Sequence, residues 1–209
     1  MKITIVGAGN MSSSLVKQLS RAGHEIRVTA RDIAKAQALA GGNARVTVVP
    51  AGQALGSSEV VIVATGYADA VPALQSLGNL AGKIVIDITN PLTADYMGLT
   101  IGHTTSAAEE IAHAIPGAEV VKAFNTVFAQ VLADGPKLGN NQVPVFFATD
   151  SERARETIRA LVDSIGFKAV DAGGLKNARY LEPLAGLNIY FGYGAGQGTS
   201  IAPTWIAKA

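Results

Sequence analysis

The sequence predicts an α/β protein: a doubly wound, mainly parallel sheet with a short C-terminal helical and Gly-rich extension. Three observations carry this. The chain begins with an apolar strand, a glycine turn and a helix, ITIVGAGNMSSSLVKQL from Ile3 to Leu19. Short β-branched runs then alternate with helical stretches for most of the 209 residues, which is the pattern of parallel strands joined by crossover helices. A hydrophobic fraction of 48%, a charged fraction of 16% and 23 glycines suit a compact core with close helix–sheet contacts. Together they describe a Rossmann-like fold, expected as a single domain over residues 1–209 with residues 174–209 as a C-terminal helix and docked tail.

The opening unit carries the first functional signal. Ile3, Ile5 and Val6 read as a strand buried on both faces. Gly7-Ala8-Gly9-Asn10-Met11-Ser12 then matches the first two glycines of a dinucleotide-binding turn. They allow a tight turn and a close approach of backbone N–H groups to a pyrophosphate, at the positive end of the following helix. Ser12 replaces the usual third Gly or Ala, and its hydroxyl is expected to bond backbone or phosphate. An ordinary structural turn would look similar, so context decides: the motif follows a strand, opens a helix and is answered by a second strand.

That second strand holds Ile26 and Val28, after Gly23 has ended the first helix. At its end, where NAD-binding domains place an acidic residue, stand Ala30 and Arg31, with Lys35 one helical turn later. Two cations there suit the 2′-phosphate of NADP(H). Asp32 is expected as the N-cap of the second helix, Ile33 to Leu39.

Arg45 to Val49 gives a third strand, Pro50 to Gly56 a short helical passage, and Glu59 to Ala64 a wholly apolar, hence central, fourth strand. Its carboxyl-end loop, Ala64-Thr65-Gly66-Tyr67, lies where doubly wound sheets bind ligands. A helix is expected over Ala70 to Leu77 and a fifth strand over Lys83 to Ile88, followed by Thr89-Asn90-Pro91. Proline holds Asn90 extended, beside the expected nicotinamide. Ser106-Ala107-Ala108-Glu109 fits a capping box, Glu119 to Ala123 a sixth strand, and Phe124-Asn125-Thr126 its loop. Val143 to Ala148 is a strand, Thr149 to Glu152 a second capping box, and Glu152 to Ile165 an amphipathic helix. After a last strand, Phe167 to Val170, Leu175 to Phe191 reads as a helix kinked or broken at Pro183 and Gly186. The Gly-rich stretch from Gly192 ends in Ile201, Trp205 and Ile206, an apolar load expected to dock on the body or a second subunit.

The formal net charge of +1 without a basic block gives no footprint for nucleic acid, and no run is a membrane span or signal peptide. A soluble, cytoplasmic protein is expected. There is no cysteine, and no metal-ligand cluster or acid–base pair stands out. His24 and His113 read as surface residues and His103 as a loop residue. Arg179 and Glu182, three apart, read as an intrahelical pair.

GAGNMS at Gly7, ARDIAK at Ala30, DITNPL at Asp87, TSAAEEIA, VKAFNT at Val121 and DAGGLKNARYLEPLAGL from Asp171 together resemble the NADPH-dependent oxidoreductases of the deazaflavin coenzyme F420. The pattern is also similar to the reductase domain of six-transmembrane ferric and cupric reductases. The resemblance implies hydride transfer between NADPH and F420 or a flavin such as FMN or FAD, a small-molecule acceptor, and a homodimer. It implies that Gly7, Gly9, Asn10 and Met11 hold the pyrophosphate, and Arg31 and Lys35 the 2′-phosphate. Ala30 departs from the serine often found there. Asn90, Pro91 and Asn125 would flank the nicotinamide, and Gly174 to Leu187 would wall the acceptor pocket; Thr65 and Tyr67 are candidate cofactor contacts from their place in the loop after the fourth strand. No catalytic side chain is expected, since orientation and water exclusion suffice. The rival readings are a reductase of a small carbonyl or imine and a non-catalytic NADP sensor.

Overall fold

A computed structural model describes residues 1–206 and 208. Strands β1 (Lys2–Val6), β2 (Glu25–Thr29), β3 (Val46–Val48), β4 (Val60–Val63), β5 (Ile84–Asp87), β6 (Glu119–Ala123), β9 (Pro144–Ala148) and β10 (Lys168–Asp171) form one sheet in the order β10-β9-β6-β5-β4-β1-β2-β3. A separate hairpin pairs β7 (Lys137–Leu138) with β8 (Asn141–Gln142). All pairings in the large sheet are parallel except β6 with β9. The order reverses between β1 and β4, which opens a crevice at their carboxyl ends.

Side-chain alternation splits the core into two layers. One packs Ile3, Ile5, Ile84 and Val121 against α1 (Asn10–Arg21), α6 (Ala129–Asp134) and α7 (Glu152–Ser164). The other packs Val6, Val61, Val63 and Val85 against α3 (Ala51–Ala54), α4 (Tyr67–Gln75) and α5 (Ala107–Ala114). The central strands β4 and β5 are buried throughout, β4 as its unbroken apolar run requires and β5 with the charged Asp87 at its end. Helix α2 (Ile33–Ala40) is capped by Asp32, which accepts from the Lys35 N–H.

Several expected details are corrected. Helix α4 begins at Tyr67, three residues early, because Gly66 takes the extended N-cap conformation. The cap of α7 is Ser151, which accepts from the Ala154 N–H, while the Thr149 hydroxyl is buried against the Val120 carbonyl. The hairpin and α6 carry no strong periodicity, and the sequence pattern does not predict them. The C-terminal helix is neither broken nor sharply ended at Pro183: α8 (Ala178–Ile189) runs through it and widens into a π-helical turn, Tyr190–Gly194.

In the tail, Ile201, Ala202 and Pro203 are half-buried, and the Trp205 ring meets Phe146 edge-on at 5.2 Å. Yet Trp205 stays 70% and Ile206 96% exposed. Ala207 and Ala209 of the expected docked tail lie outside the described residues. No helix among the described residues is long and apolar enough to cross a membrane.

Candidate functional site

The two glycines of the first turn do different work. Gly7 has φ +119° and a Cβ there would sit 2.4 Å from the Ala64 carbonyl oxygen, so it fixes the turn against the end of β4. Gly9 is the N-cap of α1, and a Cβ at that position would meet nothing within 4 Å. The space in front of it is open, as a pyrophosphate cradle at a helix N-terminus needs. Ser12 departs from expectation: its hydroxyl is fully buried behind the turn and has no partner within the chain.

Arg31 and Lys35 are both exposed on the rim at the end of β2 beside half-buried Ala30. They do not converge on one partner. Arg31 donates two hydrogen bonds across to Asp69 on α4, at 2.9 and 3.3 Å, whereas Lys35 lies 3.8 Å from Asp32. Pairs this exposed are weak, so either cation is available to a stronger anion.

From the turn, a cavity of about 570 Å³ runs along Met11, Ala64, Thr65, Gly66 and Tyr67 to Asn90. A second, of about 520 Å³, is lined by Asn90, Phe124, Asn125, Phe128, Ala185 and Asn188, among others. The two share Met11, Ile88, Asn90 and Tyr96. Of the sequence-predicted residues, Met11, Ala64, Thr65, Gly66, Tyr67, Asn90 and Asn125 line this pair of adjoining cavities, while Gly7, Gly9, Asn10, Ser12, Ala30, Arg31, Lys35 and Pro91 lie outside their lining. Pro91 is buried behind Asn90 and starts a flap, closed by the Leu92–Leu99 bridge and by the Thr100 N–H bonding the Pro91 carbonyl at 2.7 Å. Tyr96, at its tip, has φ 62°.

At the junction, Asn125 donates from its amide nitrogen to Asn90 Oδ1 (3.0 Å) and to the Leu181 carbonyl (2.9 Å), and Asn90 returns a bond to the Asn125 carbonyl. These bonds fix the amide's orientation and leave Asn125 Oδ1 as a buried acceptor with no partner in the chain. The preceding Phe124 is wholly buried at φ 61°. A bulky residue there is strained, and such strain collects where structure is held for a ligand.

Beneath this junction lies an ion cluster that sequence reasoning misses. Lys122 Nζ donates to Asp87 (2.7 Å) and the Thr89 carbonyl (2.6 Å), and sits 2.7 Å from Glu182 on α8. All three charged side chains are essentially without solvent. Glu182 also accepts from the Ala107 and Ala108 N–H groups, the positive end of α5. Burial pushes the Glu182 carboxyl above its ordinary value, against the pull of Lys122. Burial, and then the surrounding carboxylates, likewise raise the Tyr67 hydroxyl. The expected Arg179–Glu182 pair does not form: Arg179 instead grips Glu109 on α5 with bonds of 2.7 and 2.8 Å. Both residues turn toward α5 because α8 packs across it. The signal is present in the sequence as lone charges in apolar strands, Asp87 in KIVIDI and Lys122 in VVKAF, which must pair once buried.

Two further expectations change. Of the segment Gly174 to Leu187, only Ala185 lines the 520 Å³ cavity, whose wall continues through Asn188, Ile189 and Tyr193. The earlier part, with Lys176, Arg179 and Tyr180, faces a separate cavity against Leu99 to His103. His24 is buried rather than on the surface, its Nε2 2.9 Å from the Ser164 hydroxyl. His103 and His113 are exposed. Among the described residues no group of His, Cys, Asp and Glu is placed to hold a metal.

Comparison with known proteins bears out the resemblance and the fold. Residues 2–91 match the family model described as NADP oxidoreductase coenzyme F420-dependent. The chain is 34% identical over 184 residues to metalloreductase STEAP3 of Rattus norvegicus, covering 88% of this chain and 36% of that protein. It spans about a third of the length of the mammalian metalloreductases it matches. It is 29% identical to the F420-dependent NADP reductase of Methanothermobacter marburgensis, covering 90% and 91% of the two chains. A solved structure from Arthrobacter sp. FB24, assigned provisionally as an F420-dependent NADP-reductase, superposes with a TM-score of 0.85 at 28% identity and 96% coverage of each chain. The chain is thus a relative of NADP-dependent oxidoreductases.

Proposed function

We propose, for a chain whose residues 2–91 match an F420-dependent NADP oxidoreductase model, that it transfers hydride between NADP(H) and a deazaflavin (F420) or flavin (FMN, FAD) held in the 520 Å³ cavity. The observation that carries this is the meeting of two cavities at Asn90, Met11 and Ile88, which lets a donor ring and an acceptor ring lie in contact without a wall between them. The open space at Gly9 and the free N–H groups of α1 fit a pyrophosphate, and Arg31 and Lys35 are the residues that would hold a 2′-phosphate. NADPH, when bound, supplies the hydride.

The chain's own part is orientation and exclusion of water. Asn125, tied to Asn90 and Leu181, holds the junction between the two cavities in shape. Met11, Ile88 and Phe124 make the floor apolar, and the Pro91–Thr100 flap covers one side. A homodimer belongs to the same proposal, supported by the aromatic surface left exposed at Tyr190, Tyr193 and Trp205, and a cytoplasmic location is proposed with it. Incubation with NADPH and a panel of FMN, FAD and F420, following nicotinamide oxidation, tests the reading. Turnover with at least one is expected; NADPH binding with no oxidation by any would favour a non-catalytic sensor.

A further inference from the structure

Arg31 and Asp69 stand on either side of the glycine turn. The strand order here is β4-β1-β2; Arg31 follows β2, and Asp69 lies in the first turn of α4, which follows β4. Their pairing therefore spans the carboxyl end of β1, where Gly7 and Gly9 shape the nucleotide cradle. Arg31 Nη2 donates to one Asp69 oxygen at 2.9 Å and Nη1 to the other at 3.3 Å, so the fork that would grip a phosphate end-on is filled by a carboxylate. Lys35 is matched as well, 3.8 Å from Asp32. Asp32 is held in place, because its other oxygen caps α2 by accepting the Lys35 N–H at 3.0 Å. Asp69 has no second tie: among the described residues its carboxylate bonds Arg31 alone, and its side chain is 48% exposed.

The rim therefore carries two cations against two carboxylates, and their formal charges cancel. Net charge alone gives no preference for a 2′-phosphate there; the preference depends on which carboxylate lets go. We infer that Asp69 is that residue, a specificity determinant that competes with the 2′-phosphate for Arg31 and lowers the preference for NADP(H) over NAD(H). The inference rests on the reading that Arg31 and Lys35 receive the 2′-phosphate. NAD(H) has a hydroxyl at that position and does not require Arg31 to leave Asp69. The competition thus weighs on one nucleotide only, and specificity is the difference between the two affinities.

Equilibrium binding of NADPH and of NADH, followed by nicotinamide fluorescence, is measured on the full chain and on Asp69→Asn, Asp69→Ala, Arg31→Ala and Glu156→Gln. Glu156 is exposed on α7, which packs on β6, β9 and β10 at the other end of the sheet, so its loss controls for net charge. Both Asp69 variants should bind NADPH about three- to tenfold tighter and NADH within about twofold of the unaltered chain. The gain should shrink in about 0.5 M salt, as an effect of exposed charge must. Unchanged or weaker NADPH binding in the Asp69 variants overturns the inference, as does an equal gain for NADH or a matching gain in Glu156→Gln. A gain in Asp69→Asn alone would be a new bond from the amide and overturns it too. Arg31→Ala separates the two readings. If it weakens NADPH binding, a failure belongs to Asp69 alone; if it does not, the 2′-phosphate reading fails and the inference falls with it.

Discussion

The two ends of the groove are built from different materials. At the nucleotide end the shape comes from backbone: Gly7 turns the chain, Gly9 leaves room, and the charged groups on the rim, Arg31 and Lys35, are exposed and loosely paired. At the acceptor end it comes from buried side chains: the Asp87–Lys122–Glu182 cluster fixes α8 on the sheet, and the Asn90–Asn125 pair sits directly above it. A site made of backbone can lose ligand affinity while the fold persists. One made of buried charge loses fold and site together, because each ion there is tolerated only through its partners.

The largest expected effect tests the second half of that contrast. Lys122→Met leaves two carboxylates facing each other without water, and should cost about 3–5 kcal/mol in urea unfolding. A loss under about 1 kcal/mol would mean that the cluster does not hold α8. The glycines test the first half. Gly7→Ala forces a Cβ toward the Ala64 carbonyl at positive φ, which should cost about 1–3 kcal/mol of stability. Gly9→Val meets open space in the free chain, so it should leave the urea midpoint unchanged and abolish NADPH binding. Retained NADPH affinity in Gly9→Val would place the nucleotide elsewhere.

The same contrast explains what the sequence makes legible. Backbone devices have local signatures: the glycine spacing, the Asp32 cap and the unbroken apolar run of β4 are all readable, because each is decided by residues within one turn of the chain. The acceptor end is assembled from residues far apart. Glu182 bonds Ala107, and Asn125 bonds both Asn90 and Leu181. Spacing on one helix suggests Arg179 with Glu182, but tertiary packing gives each a stronger partner on another element. The antiparallel entry of β9 is also beyond reach, since the connection through α6 and the β7–β8 hairpin carries no clear period.

Between these extremes stands the 2′-phosphate contact. Arg31→Ala should weaken NADPH binding by about 1.5–3 kcal/mol, the worth of a hydrogen bond to a charged group, and leave NADH binding unchanged. Its effect on stability should stay within about 0.5 kcal/mol, since its bond to Asp69 is exposed. Equal or tighter NADH binding by the unaltered chain would remove the case for NADP selectivity.

The smallest effect separates the two ends by pH. Arg179 and Glu109 join α8 to α5 with both side chains about three-quarters buried. The hydrogen bonds from Arg179, ahead of one from the Ser106 hydroxyl, hold the Glu109 carboxyl below its ordinary value of 4.5. The unfolded chain therefore binds a proton at Glu109 before the folded one does as pH falls. The pair's contribution is complete above about pH 4.5 and is lost as pH drops through the lower folded value. Arg179→Gln should thus cost roughly 0.5–1 kcal/mol at neutral pH, and the difference from the unaltered chain should shrink toward zero in acid. Urea unfolding of both chains from pH 7 to about 3 measures it. A difference that stays constant across that range would mean that Arg179 acts through its aliphatic stem and packing rather than through Glu109, and that the acceptor end is not acid-sensitive at this joint.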